Sequence, residues 1–474
     1  MVKHFFCFSL CTFLCLGIVH AQNISSLTNE QKSWLIKADR HERNGWIYLH
    51  IEGAPQERGF QHGYLMAKEI GEALRILKVI WEYQSATSWS WLVAKTASMF
   101  TPKVDPENLM EIDGIQEGMS AAGVFITRNE LVTWNGWKEL FWYWWPMKKD
   151  SITPNASLQL KESCSSFIAS GTMTSDGQIV IGHNTWDDYY IPAYNIILDI
   201  VPSQGHRILM QSAPGHIHSS PDFFVTDAGI VGSETTIGSF FPFDSTGVPE
   251  FVRVRRAMQD ASSIDEWCIE MKKGNNGGYA NSWLLGDIKT NEIARFELGL
   301  KYFGFEKKKD GYFCGSNIAH DLNILRHETK SNEVDIRQTG VARKIRWNQL
   351  MKEFEGKIDV KRGQLFLSDH YDIYLKRTHP DSRTICGPME LDEQISESIE
   401  PFRPLGAYDG KVMDARMAKE LSFVARWGAP CGTPFHAAQF LKANSQFDWM
   451  QGILKDWSVV QPWTKFKAGE RKNY

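Results

Sequence analysis

Cys164 stands at the head of a strand-like run, Ser165-Ser166-Phe167-Ile168-Ala169-Ser170-Gly171. Thr174-Ser175-Asp176-Gly177 then turns the chain back into Ile179-Val180-Ile181-Gly182-His183-Asn184-Thr185-Trp186. Asp-Gly between two apolar, β-branched runs is a hairpin signal. A hairpin is marginal alone, so the rest of the chain has to supply further strands and an apolar layer. The cysteine adds a chemical consequence. Cut before Cys164, the chain would carry on one residue a thiol that ordinarily titrates near ~8.5 and an α-amine near ~8. Nucleophile and proton acceptor would then share that residue.

The preceding residues favour such a cut. Residues 147–163 hold Lys, Ser, Thr, Pro and Asn and few large apolar groups, the composition of an exposed, easily nicked linker. The linker ends with Ser163, directly before Cys164. Upstream, residues 27–50 read as helix and then extended chain, and Gly59-Phe60-Gln61-His62-Gly63 leads into a helical pattern over 64–83. Helical patterns follow over 106–122 and 128–145. The last contains Trp134, Trp137, Phe141, Trp142, Tyr143, Trp144 and Trp145 and is read as stopping at Pro146. Its bland reading is a helix buried on most sides, and its sharper one a wall for an acyl chain.

From 164 to about 240 the pattern is strand-like, as in residues 194–201 and 223–226. A helical stretch follows near 249–273, strands near 280–286, 292–299 and 311–315, and helices over 339–355 and 412–426. Strands bracketed by helices without regular alternation favour a layered α+β fold over a doubly wound one. Cys164 is not read as a domain boundary, because its hairpin needs partners and the upstream helices have apolar faces to bury. Residues 22–163 and 164–474 are therefore expected to make one composite domain and to stay associated after cleavage.

Residues 1–21 read as an export signal: Lys3 and His4, an apolar run from Phe5 to Val19, then a small residue, Ala21, before the cut. The mature chain is expected outside the cytoplasm, periplasmic or extracellular in a bacterium, lysosomal or secreted in a eukaryote. Cys7, Cys11 and Cys15 leave with the signal, which leaves Cys164, Cys268, Cys314, Cys386 and Cys431, an odd set that implies an unpaired thiol. A net charge of −4 with both signs dispersed gives no basic stripe, and so no nucleic-acid partner. A homo-oligomer stays open.

Rival chemistries are weaker. His216-Ile217-His218, with His320, Asp321 and His327, could ligate a metal, but no HExxH or paired CxxC occurs and no metal is expected. No Gly-x-Ser-x-Gly elbow or dinucleotide fingerprint is present. On a two-residue period His183 and Thr185 share one face of the return strand, and Asn184 and Trp186 the other. Asn281 and Asn317 could furnish amides for an oxyanion, although asparagine is often only a turn former. Arg343 and Arg346 sit three apart on one helix face.

In order, these segments resemble known proteins. Gly53-Ala54-Pro55-Gln56-Glu57-Arg58-Gly59-Phe60-Gln61-His62-Gly63 resembles the opening of the acyl-coenzyme A:6-aminopenicillanic-acid acyltransferase-like proteins. Cys164-Ser165-Ser166-Phe167 with Gly182-His183-Asn184-Thr185-Trp186 is similar to the phospholipase B-like proteins. Ser368-Asp369-His370 and Ser382-Arg383-Thr384-Ile385-Cys386 again look acyltransferase-like. Both groups belong with the choloylglycine hydrolases among the N-terminal nucleophile (Ntn) hydrolases. The resemblance implies a four-layer αββα sandwich, self-cleavage before Cys164, and Cys164 as nucleophile on an amide or similar acyl bond, with no cofactor. It implies Asn317 as an oxyanion donor, Arg343 in preference to Arg346 as the active-site arginine, and His183 as an orienting group. Asn184, Trp186, Thr235 and Asn281 are then expected to line the substrate site. Choloylglycine hydrolases carry Arg-Asn where this chain has His183-Asn184, so bile-acid amidase activity is not implied, and Asp187 falls one place later than the usual carboxylate. The expected function is an exported, self-processed cysteine amidase for an amphipathic acyl-amide or lipid substrate. A phospholipase B-like esterase and a non-enzymatic binder are the alternatives.

Overall fold

The computed structural model of the protein describes residues 27–150, 164–192, 194–220, 222–393 and 402–471. The expected export signal, residues 151–163 of the expected linker and Ser163 lie outside the described residues. The strands are β1 (Asp39–Arg43), β2 (Trp46–Gly53), β3 (Ser165–Ser170), β4 (Val180–Asn184), β5 (Trp186–Asp188), β6 (Ile196–Pro202) and β7 (Ile208–Ser212). They continue as β8 (Phe223–Thr226), β9 (Ile230–Thr236), β10 (Asn281–Asp287), β11 (Glu292–Leu298), β12 (Phe303–Lys308) and β13 (Gly311–Gly315). A small ribbon, β14 (Tyr371–Asp372) and β15 (Arg377–Thr378), precedes β16 (Leu405–Ala407), β17 (Asp409–Asp414), β18 (Ser422–Trp427) and β19 (Thr464–Lys467).

The hairpin headed by Cys164 closes as its sequence reads, with Ser166 opposite His183 and Ala169 opposite Val180. It forms the centre of a six-stranded sheet ordered β13-β3-β4-β17-β18-β19. A nine-stranded sheet, β1-β2-β6-β7-β8-β9-β10-β11-β12, faces it. Alternation along each strand sets the layers. Ile168, Ile181, Met413 and Phe423 of the smaller sheet pack between the sheets against Tyr48, Ile197, Leu209, Val231 and Leu284 of the larger. Phe167, Val180 and Val412 point the other way, onto Trp347 and Leu350 of helix Thr339–Glu353 and Phe366 of helix Val360–Leu367. Leu49, Ile51, Ile196, Leu198 and Met210 carry the outer face of the larger sheet into a helical layer that includes Ile70, Leu77, Ile112, Trp134 and Trp267. The result is the expected αββα sandwich. No helix among the described residues is long and apolar enough to cross a membrane.

The segment before Cys164 is woven into this sandwich. β2 pairs in parallel with β6, from Ile47 opposite Ile196 to Gly53 opposite Pro202, while β1 covers its other edge. Gly59-Phe60-Gln61-His62-Gly63, read as a lead-in, lies inside helix Pro55–Leu65. A Cβ on Gly63 would stand 2.0 Å from the Ile115 carbonyl oxygen, so glycine lets this helix lie directly on helix Pro106–Ala121.

Other readings change. The aromatic helix does not stop at Pro146. Helix Arg128–Asn135 passes through the turn Trp137–Glu139 and the wide π-type segment Leu140–Trp144 into helix Trp145–Asp150. Pro146 is the second residue of that last helix, directly after the wide segment, and the chain continues helically through it. Residues 412–426 are not one helix but the end of β17, a helical turn Ala415–Lys419, and β18. Pairing decides this: β17 docks between β4 and β18, and Met413, Phe423 and Ala425 enter the core between the sheets. Helix Trp89–Met99 and strand β12 had no expectation attached to them.

Candidate active site

The backbone leaves the right-handed region at the residue that matters most. Cys164 has φ +83°, a conformation that costs a non-glycine residue about 1–3 kcal/mol unless its surroundings enforce it. Arg343 enforces it. Its Nη1 donates to the Cys164 carbonyl at 2.6 Å and to Ser165 Oγ at 2.9 Å. Its Nη2 donates to Asn317 Oδ1 at 2.7 Å and its Nε to Thr339 Oγ1 at 3.0 Å. The guanidinium is buried and lies 4.4 Å over the Trp186 ring. Asn317, itself at φ +68°, donates Nδ2 to the Thr236 carbonyl at 2.7 Å. Asn184 Oδ1 accepts the Ser165 N–H at 3.0 Å, and Asn184 Nδ2 and Trp186 Nε1 each donate to the Ile385 carbonyl at 3.0 Å. Cys164, Asn184, Trp186, Asn317 and Arg343 thus form one frame from four separated stretches of chain. Arg346 is excluded from it by a bidentate pair with Asp369 at 2.9 and 2.7 Å.

The thiol is 1% exposed in the uncut chain. Burial pushes its pKa well above the ordinary value, the charges of Glu234 and Asp222 push the same way, and Lys138 opposes them. None of these three was singled out from the sequence. Tyr279 gathers them: its hydroxyl lies 2.9 Å from both Asp222 Oδ2 and Glu234 Oε1 and accepts from Lys138 Nζ at 2.7 Å. Lys138 also donates to the Ser220 carbonyl at 2.9 Å. Burial raises both carboxyls, Glu234 to about 7; the charge of Glu234 raises Asp222 further, while the hydrogen bond from Asp222 favours ionised Glu234, so the proton the pair retains near neutrality sits on Asp222 first. Asp222 and Tyr279 are again at positive φ, +58° and +50°. The available signal was Lys138-Glu139, a charged dipeptide inside an aromatic helix, because charge is costly to bury without a purpose or a partner.

Several buried polar atoms in this region have no protein partner among the described residues: both side-chain atoms of Asn281, the hydroxyls of Thr235, Tyr194 and Tyr408, and Asp187 Oδ2. Buried groups of this kind are normally met by a ligand or by ordered water. Asp187 is pushed up to about 7 by burial, and its charge acts on Tyr194 and Tyr408, the latter also facing the charge of Cys164. The Thr235 hydroxyl abuts β13, where a Cβ on Gly315 would come within 2.4 Å of it.

His183 stands apart. Its ring lies between the sheets against Phe223, at 6.4 Å between centroids, and burial keeps it neutral by lowering its pKa well below the ordinary value. Neither ring nitrogen has a hydrogen-bond partner among the described residues. His216 and His218 stack at 4.8 Å in the helical layer, with His216 Nε2 3.1 Å from the Trp134 carbonyl. They do not converge with His320 or His327. The ligand-type side chains that do converge among the described residues are His370, Cys386 and Cys431.

Comparison with known proteins now bears on this geometry. The chain is 29% identical over 187 residues to phospholipase B-like protein C of Dictyostelium discoideum, covering 36% of this chain and 32% of that protein. It is 27% identical over 266 residues to a phospholipase B of Crotalus adamanteus, covering 51% and 47%. An uncharacterized protein of Archaeoglobus fulgidus matches at 25% identity over 264 residues, covering 52% and 42%. The chain thus spans less than half the length of each of these relatives. Among solved structures, a mutant conjugated bile acid hydrolase from Clostridium perfringens aligns with 56% of this chain and 89% of its own, at 11% identity and a TM-score of 0.33. At that score the fold assignment rests on the layers described above. Over residues 115–313, which carry Cys164, His183, Asn184, Trp186 and Glu234, the chain matches the family model described as Phospholipase B, and it is to phospholipase B-like proteins that it is similar.

Proposed function

We propose that the protein is an Ntn-type cysteine hydrolase, exported and cut before Cys164, that transfers an acyl group from an amphipathic substrate to water. The observation that carries this reading is the frame around Cys164: one buried arginine ties the carbonyl of this positive-φ residue, which directly precedes β3, to Ser165, Asn317 and Thr339. Cleavage turns the Cys164 amide into an amine and opens the buried thiol to substrate. The amine takes the thiol proton, and its positive charge favours the thiolate that burial and Glu234 disfavour. The thiolate attacks the acyl carbonyl, and the resulting oxyanion is met by the Asn317 amide. One such donor is typically worth a factor of about 10²–10³. The amine then returns the proton to the leaving group, and water releases the acyl chain by the reverse sequence. Arg343 grips the enzyme's own carbonyl and acts as a positioning residue.

A linear N-acyl amide is the bond we assign first, with Trp186 and the aromatic segment Trp134–Trp145 beside the acyl chain. The phospholipase B names of the relatives favour a second reading, an ester of the same acyl chain. Intact mass and N-terminal sequencing of wild type beside Cys164→Ala, followed by competing amide and ester analogues of one acyl chain, test both. A wild-type fragment that begins at Cys164 and is missing from the variant, with amide turnover, supports the first reading. Strong ester preference transfers the assignment to the second, and full activity of Cys164→Ala on every substrate overturns both.

A further inference from the structure

We propose that His370, Cys386 and Cys431 form a binding site for a thiol-seeking divalent cation, zinc in the first instance. The three come from separate loops, after helix Val360–Leu367, before Gly387 and after β18. Their ligand atoms nevertheless all lie within 4.8 Å of one another. Zinc–sulfur and zinc–nitrogen bonds of about 2.3 and 2.0–2.1 Å put tetrahedral ligand atoms roughly 3.5–3.8 Å apart, so a small closure of the loops suffices.

The loops are tied to each other as a built site requires. The Cys386 N–H donates to the carbonyl of Asp369, the neighbour of His370, at 3.1 Å, and the Cys386 carbonyl accepts from Ala407 N at 3.1 Å. Ser368 Oγ and Arg426 Nη1 both donate to the Pro430 carbonyl, at 2.9 and 2.7 Å, which fastens the Cys431 loop to the His370 loop. Cys431 Sγ accepts the Thr433 N–H at 3.5 Å and lies 3.2 Å from Thr433 Oγ1. Both cysteines are free. His370 Nδ1 is buried and has no hydrogen-bond partner among the described residues. A disulfide would join the two sulfurs and use neither ring nitrogen, whereas a cation engages all three side chains. Binding releases the thiol protons to solvent and leaves two thiolates and a neutral imidazole around a dication, with no net charge. His370 and Cys431 are only partly buried, so water completes the fourth position.

The site has a structural consequence independent of the reaction assigned above. Cys386 follows Ile385, whose carbonyl receives Asn184 and Trp186 from the Cys164 frame. A cation there braces the strand end against which the nucleophile is held.

Cobalt(II) added to the reduced, full-length protein is the test, followed by zinc displacement. One equivalent of cobalt should give a thiolate-to-cobalt charge-transfer band, lost in Cys386→Ser and Cys431→Ser, weakened in His370→Ala and kept in Cys164→Ala. Circular dichroism of each variant separates lost binding from lost fold, and zinc should raise the melting temperature of wild type until a chelator reverses it. No band in wild type, or a band that survives in folded Cys386→Ser and Cys431→Ser, overturns the proposal. So does a Cys386–Cys431 disulfide in freshly isolated protein that, once reduced, binds neither metal.

Discussion

Arg343 spends four hydrogen bonds on the protein itself, on Cys164, Ser165, Asn317 and Thr339. Lysine keeps the charge but not the fork. Each charged hydrogen bond lost is worth about 1.5–3 kcal/mol, so Arg343→Lys should lower kcat by roughly one to two decades and leave KM nearly unchanged. Steady-state kinetics decide it, and a change confined to KM would contradict a positioning role. The charges around the thiol make a second prediction. Ionised Glu234 disfavours the Cys164 thiolate and Lys138 favours it. Glu234→Gln should therefore move the pH midpoint of Cys164 alkylation down, and Lys138→Met should move it up. Mass-spectrometric rates of iodoacetamide modification in the cleaved protein, where the thiol is open, report both shifts, and movement in one common direction would refute the electrostatic account.

Among the elements, the join between the N-terminal strands and the rest of the sheet turns on Asp199 of β6. Its buried carboxylate takes Tyr48 and His50 of β2 at 2.9 and 2.7 Å, Arg207 at 2.8 and 2.7 Å, and the Gly469 N–H beyond β19 at 2.8 Å. Arg207 and His50 outweigh burial and hold its pKa far below the ordinary 3.8. A depressed carboxylate contributes stability that is complete above its unfolded value and is lost as pH falls through the folded one. Asp199→Asn should cost about 3–5 kcal/mol near neutral pH and show a shallower acid limb in urea melts at stepped pH. Glu139 has the opposite sign. Burial raises it from 4.5 to about 7, so the folded state holds the extra proton and its contribution falls as pH rises between those values. Relative to Glu139→Gln, wild type should lose on the order of 3 kcal/mol between pH ~4.5 and ~7.

For the whole molecule, the expected cut divides the sequence without dividing the sandwich. β2 lies between β1 and β6, and helix Pro55–Leu65 covers the larger sheet. Arg58 and Arg255, from opposite sides of Cys164, share the buried Glu111 carboxylate at 2.7 and 3.0 Å. After cleavage the two chains should co-elute in gel filtration and separate only in denaturant. Spontaneous dissociation under native conditions would show that the shared sheet and the shared carboxylate do not hold them.

Local pattern determined the hairpin, because an Asp-Gly turn between β-branched runs has few other outcomes. It also determined most helices and the alternation that separates Asn184 and Trp186 from His183, since strand period is a property of the chain. The αββα order followed from resemblance and was met by the packing. Tertiary structure decided the rest. Residues 412–426 became strand, turn and strand because β4 and β18 paired with them, which overrides local helical preference. The choice of Arg343 over Arg346 was made by what each meets across space, the Cys164 carbonyl or Asp369. Lys138, Asp222, Glu234 and Tyr279 are scattered over 142 residues of chain, from Lys138 to Tyr279, and carry no shared motif. Only folding brings the charges of Lys138, Asp222 and Glu234 onto one thiol, because electrostatic fields act through space and not along the sequence.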